Sequence, residues 1–189
     1  MPAPVTPYSV TPYSPPARWI HWLTALAILT VIPAGLVMMR LPSGPAQDQL
    51  FDLHKSVGFL ILCLAVLRVA VRLAYGAPPH VPGQPRWQRA TSNAVHHALY
   101  VLIFVMPLLG WAGSNAYGAP VSVFGLFTLP DLVAKNDMLS DRLNSAHQAL
   151  GYVTAGLVSL HILAGLWHGI VQRDGVLSRM IPALSRRGS

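Results

Sequence analysis

Apolar residues along the chain gather into four long runs, separated by polar, proline-rich or charged stretches. The first extends from Trp19 to Met39 between Arg18 and Arg40, with no charge inside. The second extends from about His54 to Tyr75 and carries Arg68 and Arg72 near its far end. The third begins near Asn93 and ends between Trp111 and Ser114, and the fourth covers about Ser145 to Val171. The hydrocarbon core of a bilayer is crossed by about 20 residues of α-helix, so each run predicts a spanning helix. Pro33 and Pro107 fall inside the first and third runs, where helices in lipid tolerate kinks. The pattern therefore predicts an all-α fold, an integral membrane four-helix bundle.

The intervening segments set the expected organisation. Residues 1–16 are proline-rich and contain no Lys or Arg. They predict a disordered tail without the basic start of a secretory signal, so the first run is expected to stay in the mature protein. Residues 17–183 then form one membrane domain, and residues 184–189 a short basic tail. The connection between the third and fourth runs, Asn115 to Asn144, contains the apolar stretch Val121 to Leu129. That stretch is too short to span, and it is expected to lie along the interface or to cap the bundle.

Composition strengthens the membrane reading. Only 10% of the 189 residues are charged and 53% are hydrophobic, with a mean hydropathy of +0.48. A soluble domain carries about 25% charged residues. The net charge of +7 does not point to nucleic acid, because the basic residues form no stripe or block and instead punctuate the apolar runs. Their distribution reads as topology. Arg18, Arg68, Arg72, Arg86, Arg89, Arg173, Arg179, Arg186 and Arg187 fall on one side, whereas Arg40, Lys55, Lys135 and Arg142 fall on the other. That 9-to-4 split places both termini on the cytoplasmic side of a cell inner membrane. The lone cysteine, Cys63, excludes an internal disulfide and the C-x-x-C-H attachment of a c-type haem.

Of the eight histidines, all but His80 lie in or at the ends of the predicted spans. Ionisable residues within a membrane are costly, and they commonly face a bundle interior and serve a site. For any single histidine the competing reading is a residue at the wet interface. Two features of the set favour a site. His161 follows His147 by 14 residues, about 21 Å along a helix and about 40° from the same face. The fourth helix thus offers one imidazole towards each membrane surface, where His54 can meet His147 at the outer level and His21 can meet His161 at the inner level. Small residues also follow these four at the i+4 position: Gly58, Gly151, Gly165 and, after His21, Ala25. One turn along the same face, a small residue leaves room for a flat group against the helix. Small-residue helix packing is the competing account, but it does not explain why they track these four histidines.

Paired imidazoles on opposite helices, with no third or fourth ligand at tetrahedral spacing, do not suit zinc. They suit the two axial positions of haem iron, which makes His21, His54, His147 and His161 the candidate metal ligands. Two non-covalent b haems between the helices are expected, with no open coordination position and outer-sphere electron transfer as the chemistry.

At these residues the chain resembles the bacterial cytochrome b561 family, which is related to the cytochrome b subunits of nickel–iron hydrogenases. The resemblance covers roughly Tyr13 to Pro182. It is carried by R-W-I-H-W-L at Arg18 to Leu23, L-H-K-S-V-G-F at Leu53 to Phe59 and L-R-V-A-V-R-L-A-Y-G-A-P-P at Leu67 to Pro79. A-H-Q-A-L-G-Y at Ala146 to Tyr152, L-H-I-L-A-G-L-W-H at Leu160 to His168 and the closing S-R-M-I-P also carry it. The resemblance implies four helices and two b haems, with His21, His54, His147 and His161 matching the family's axial ligands. Its furthest implication is oxidation of superoxide with delivery of the electrons to ubiquinone. The long proline-rich start departs from the short start common in that family.

Other residues complete the expectations. Arg68 lies 14 residues after His54, which brings it to the inner level, where it can pair with a haem propionate. His97 and His168, at inner helix ends, suit either a quinone or proton contact or a plain interface position. Lys55 and Arg142 flank the outer ligands and can steer an anionic donor or hold propionates. The partners expected are the lipid bilayer, membrane quinone and a small outer-side electron donor. The alternative is a cytochrome b anchor subunit that accepts electrons from a partner dehydrogenase or hydrogenase.

Overall fold

The computed structural model describes residues 11–81 and 83–183. It is an all-α membrane bundle of four long helices: α1 (Pro15–Met38), α2 (Pro45–Tyr75), α3 (Arg86–Tyr117) and α4 (Asp137–Trp167). Each is long and apolar enough to cross a membrane, and the protein is a multi-pass membrane protein. The short turn 39–44 makes α1/α2 an antiparallel hairpin, and α3 and α4 pack as a second one across the longer connection 118–136. The closely packed pairs are α1 with α2, α3 with α4, and α2 with α3.

The helices are longer than their apolar runs, chiefly at one end. α2 begins at Pro45 and α4 at Asp137, so His54 and His147 lie more than two turns inside their helices, not at the ends as hydropathy alone suggests. The extra turns are polar but well started. Pro45 occupies the first turn, where its missing N–H costs nothing. The Asn136 side chain accepts from the Leu139 N–H at 2.9 Å. Asp48 and Asp137 sit where the helix dipole favours negative charge. The tight α1–α2 turn is closed by Gln47, whose side-chain amide donates to the carbonyls of Met38 and Leu41 at 3.0 and 3.1 Å.

The outer surface is what marks lipid as the solvent. Leu26, Val66, Val101 and Leu163 are each more than half exposed, a distribution no water-soluble bundle keeps. Trp19, Trp87, Trp167 and Tyr75 are exposed at one end of the bundle, where amphipathic rings suit the headgroup level. Inside, α1, α2 and α3 meet at Ala27, Val57, Ile61, Ala65 and Ile103, the small residues letting backbones approach. Helix hydroxyls are satisfied locally: Thr24 donates to the Ile20 carbonyl and Thr154 to that of Leu150, both at 2.7 Å.

The apolar stretch between α3 and α4 caps one end of the bundle as a small hairpin, β1 (Ser122–Val123) and β2 (Phe127–Thr128). Val121, Val123 and Leu129 are buried against Phe59 and Trp111. Ser56 holds it, donating to the Ser122 carbonyl at 3.3 Å and accepting from the Phe124 N–H at 2.8 Å.

At the opposite end α4 passes into one π-helical turn, His168–Gln172, and a 3₁₀ turn follows at Leu177–Arg179. The segment assigned to a disordered tail ends in ordered structure. Its first ten residues and the basic tail, 184–189, lie outside the described residues. Within its remainder, the Tyr13 N–H donates to the Arg179 carbonyl at 3.1 Å and α1 starts at Pro15.

Candidate functional site

The four histidines that the spacing singled out meet in two pairs. At the hairpin-capped end, His54 on α2 and His147 on α4 have ring centroids 5.9 Å apart and planes at 75°. At the other end, His21 on α1 and His161 on α4 are 6.1 Å apart with planes at 71°. Helix periodicity explains why α4 serves both, and the loose packing of α4 against α1 and α2 leaves space for the rings.

The first pair is oriented by the backbone of neighbouring helices. His54 Nδ1 lies 3.0 Å from the Val31 carbonyl of α1, and His147 Nδ1 lies 3.1 Å from the Met106 carbonyl of α3. A carbonyl can only accept, so each Nδ1 carries the proton and each Nε2 keeps a free lone pair. That is the tautomer a metal-binding imidazole needs, fixed by the partner on its other nitrogen. Each acceptor lies within two residues of a helix proline, Pro33 or Pro107.

Two glycines that sequence reasoning did not single out make these bonds possible. A Cβ on Gly35 would lie 2.8 Å from His54 Cε1, and one on Gly110 would lie 3.0 Å from His147 Cε1. Each glycine stands four residues after the accepting carbonyl, one turn on along the same helix. The two halves therefore repeat one device: the histidine of the second helix rests on a glycine of the first. A Pro followed closely by Gly in both α1 and α3 was the available signal.

The glycines that sequence reasoning did single out have a different setting. Around Gly58 and Gly165 a Cβ would meet nothing within 4 Å, and at Gly151 it would meet only Met106 Cε at 3.7 Å. Gly58 and Gly151 line a cavity of about 1150 Å³ together with His54 and His147. They leave open space beside the rings.

The second end contains a third imidazole. His96 on α3 has its ring centroid 5.1 Å from that of His161, and its Nδ1–H donates to the Ser92 carbonyl at 2.6 Å. It is not one of the four histidines singled out above: Tyr100, not a small residue, stands four residues on. Arg68 reaches this level, its guanidinium carbon 5.1 Å from the centroid of the Tyr100 ring. His97 is exposed and bonds to its own helix through the Asn93 carbonyl. His168 is not brought to either pair. Its Nδ1 lies 2.6 Å from Asp174 Oδ2.

Of the basic residues at the capped end, Lys55 is tied to Asp52 at 3.5 Å and to the Pro120 carbonyl at 3.2 Å. Arg142 is exposed. Asp48, Asp52 and Asp141 line the same cavity mouth as Arg40 and Lys55, so the charge there is mixed. Among the described residues, no three His, Cys, Asp or Glu side chains gather as a polydentate metal site. What the arrangement offers is facing imidazoles within apolar walls.

Comparison with known proteins agrees with this architecture. The family described as prokaryotic cytochrome b561 matches residues 12–183. Cytochrome b561 homolog 2 of Escherichia coli (strain K12) is 32% identical over 162 residues, 85% of this chain and 86% of the relative. Cytochrome b561 homolog 1 of the same organism is 27% identical over 165 residues, 87% of this chain and 93% of the relative. A Yersinia pestis protein described as "Probable superoxide oxidase CybB" is 29% identical over 163 residues, 86% of this chain and 92% of the relative. With four spanning helices, histidines converging from α1, α2 and α4, and a match over nearly its whole length, the chain belongs to the prokaryotic cytochrome b561 family of membrane redox proteins.

Proposed function

We propose that the protein binds two b haems, one between His54 and His147 and one between His21 and His161, and transfers electrons across the inner membrane between a small outer-side donor and membrane quinone. The observation that carries this reading is the prepared tautomer of His54 and His147. An imidazole nitrogen binds a metal at about 2 Å, so two rings on opposite sides of one metal atom stand with centroids roughly 6 Å apart. The measured 5.9 and 6.1 Å fit that spacing. Gly58, Gly151 and Gly165, with open space beside them, fit a flat macrocycle against the helices.

When held by these two pairs of histidines, the haems would supply one-electron chemistry. The chain does the rest. The Nδ1–H bonds of His54 and His147 hold their rings and raise their basicity as ligands. The apolar helix faces exclude water. Arg68 brings a cation to the His21 end, where quinone exchange is assigned, with His97 next to His96 on α3. The 9-to-4 distribution of Lys and Arg supports an orientation with both termini cytoplasmic and the hairpin cap outside. Superoxide is the donor suggested by the Yersinia pestis relative's description.

The test is a reduced-minus-oxidised spectrum of the purified protein with haem counted per chain. Two haems are expected, and His54→Ala or His147→Ala should each leave one. A colourless preparation, or two haems retained in both variants, would remove the proposal.

A further inference from the structure

Four buried side-chain polar atoms lack a hydrogen-bond partner among the described residues, and all four lie towards one end of the molecule: Ser14 Oγ, Arg18 Nε, His21 Nδ1 and Arg179 Nε. Three come from a single stripe. Ser14, Arg18 and His21 stand at i, i+4 and i+7, which aligns them on one face at the start of α1. Ser14 is the residue before that helix, yet its hydroxyl makes no cap bond, and Pro16 lacks the N–H that a cap could meet at the second helical position.

The fourth atom is carried there by the chain beyond α4. The Tyr13 N–H donates to the Arg179 carbonyl at 3.1 Å, and Trp22 Nε1 donates to the Met180 carbonyl at 3.3 Å. These two bonds clasp the 3₁₀ turn to the beginning of α1. The Arg179 side chain is held from its other end, where Nη2 donates to the Pro79 carbonyl. No carboxylate answers either guanidinium: the ion pairs among the described residues are Lys55 with Asp52 and His168 with Asp174. Asp174, the acid in the same segment, is already committed to His168 and to the Val176 N–H at 3.0 Å.

We infer that Ser14, Arg18 and Arg179 form a binding site for an oxyanion, a carboxylate or phosphate group, at the His21 end of the bundle. Two buried guanidinium N–H donors and a hydroxyl, with no acceptor among the described residues, call for an acceptor-rich anion, and the planar guanidinium fork matches both groups. Two sources supply that chemistry. One is a propionate of the haem held by His21, three residues from Arg18 on the same face; this arm rests on the function proposed above. The other is the phosphate of an anionic lipid, since this end carries the exposed Trp19 and Trp87 of the membrane interface.

The experiment uses the intact protein, with Arg18→Gln/Arg179→Gln and the milder Ser14→Ala as variants. Redox titration followed by haem absorbance reads the propionate arm. Native mass spectrometry after exchange into phosphatidylglycerol or phosphatidylcholine nanodiscs reads the lipid arm. A shifted midpoint potential at one haem, with the other unchanged, assigns the propionate. A several-fold loss of retained phosphatidylglycerol, with phosphatidylcholine unaffected, assigns the lipid. If the double variant does not insert, Ser14→Ala and Arg18→Lys carry both readouts. Unchanged potentials together with unchanged lipid retention overturn the site. A wild-type protein without haem removes the two-haem reading, and the lipid count alone then decides this one.

Discussion

Replacing Gly110 with Ala tests the glycine seat under His147 in isolation. The new Cβ would stand 3.0 Å from His147 Cε1 and 3.3 Å from Nδ1, whereas carbon atoms rest at about 3.5–4.0 Å. The ring must retreat by roughly half an ångström. Because the Met106 carbonyl lies one turn before Gly110 on α3, the retreat also stretches the 3.1 Å bond to Nδ1 to about 3.5 Å, near the limit of a hydrogen bond. Losing that bond costs about 1 kcal/mol, and more if the buried N–H finds no other partner. An alanine within a helix recovers about 0.5–1 kcal/mol over glycine. The two effects nearly cancel, so thermal stability is a poor readout. The ligand itself is the better one: loss of the partner that orients a metal-bound imidazole typically weakens metal binding by 10–100-fold. Haem loss to excess apomyoglobin should therefore speed up about tenfold for one of the two haems, with its absorbance band perturbed. Gly35→Ala, with a closer 2.8 Å approach to His54, should act at the same haem and more strongly. Gly156→Ala, where a Cβ meets nothing within 4 Å, is the control. Equal haem loss in Gly110→Ala and wild type, or the same acceleration in Gly156→Ala, would refute the seat.

Gly58→Leu or Gly151→Leu should exclude haem from the His54/His147 pair while the helices still insert; normal haem content in both reduces these glycines to packing residues. His168→Ala should leave two haems bound, because its ring is engaged with Asp174; loss of a full haem in that variant contradicts the ligand assignment. Arg68→Ala/His97→Ala should slow quinone exchange in stopped-flow haem oxidation, whereas Lys55→Ala/Arg142→Ala should leave it unchanged; the reverse pattern would exchange the roles of the two ends. Ser56→Ala should lower stability by about 1–3 kcal/mol, since it strands the Phe124 N–H; an unchanged melting temperature would show the hairpin cap is held by its apolar contacts alone.

Four spanning helices were legible from the chain because lipid demands a long run without charge, and that demand acts on local sequence. The pairing of His54 with His147 and of His21 with His161 was legible for a related reason: 14 residues return an α-helix nearly to the same face, so depth and direction on α4 follow from counting. The polar first turns of α2 and α4 were not legible from hydropathy, because helix hydrogen bonding continues past the bilayer edge wherever caps and dipole charges allow it. Tertiary structure alone decided what each imidazole leans on. The Val31 and Met106 carbonyls and the Gly35 and Gly110 seats belong to helices distant in sequence, and no local pattern states which turn of a neighbour will face a given ring. The same holds for His96 beside His161 and for Arg179 clasped to the start of α1. Periodicity assigns a residue its face and its depth; which neighbour occupies that face is settled only when the helices pack.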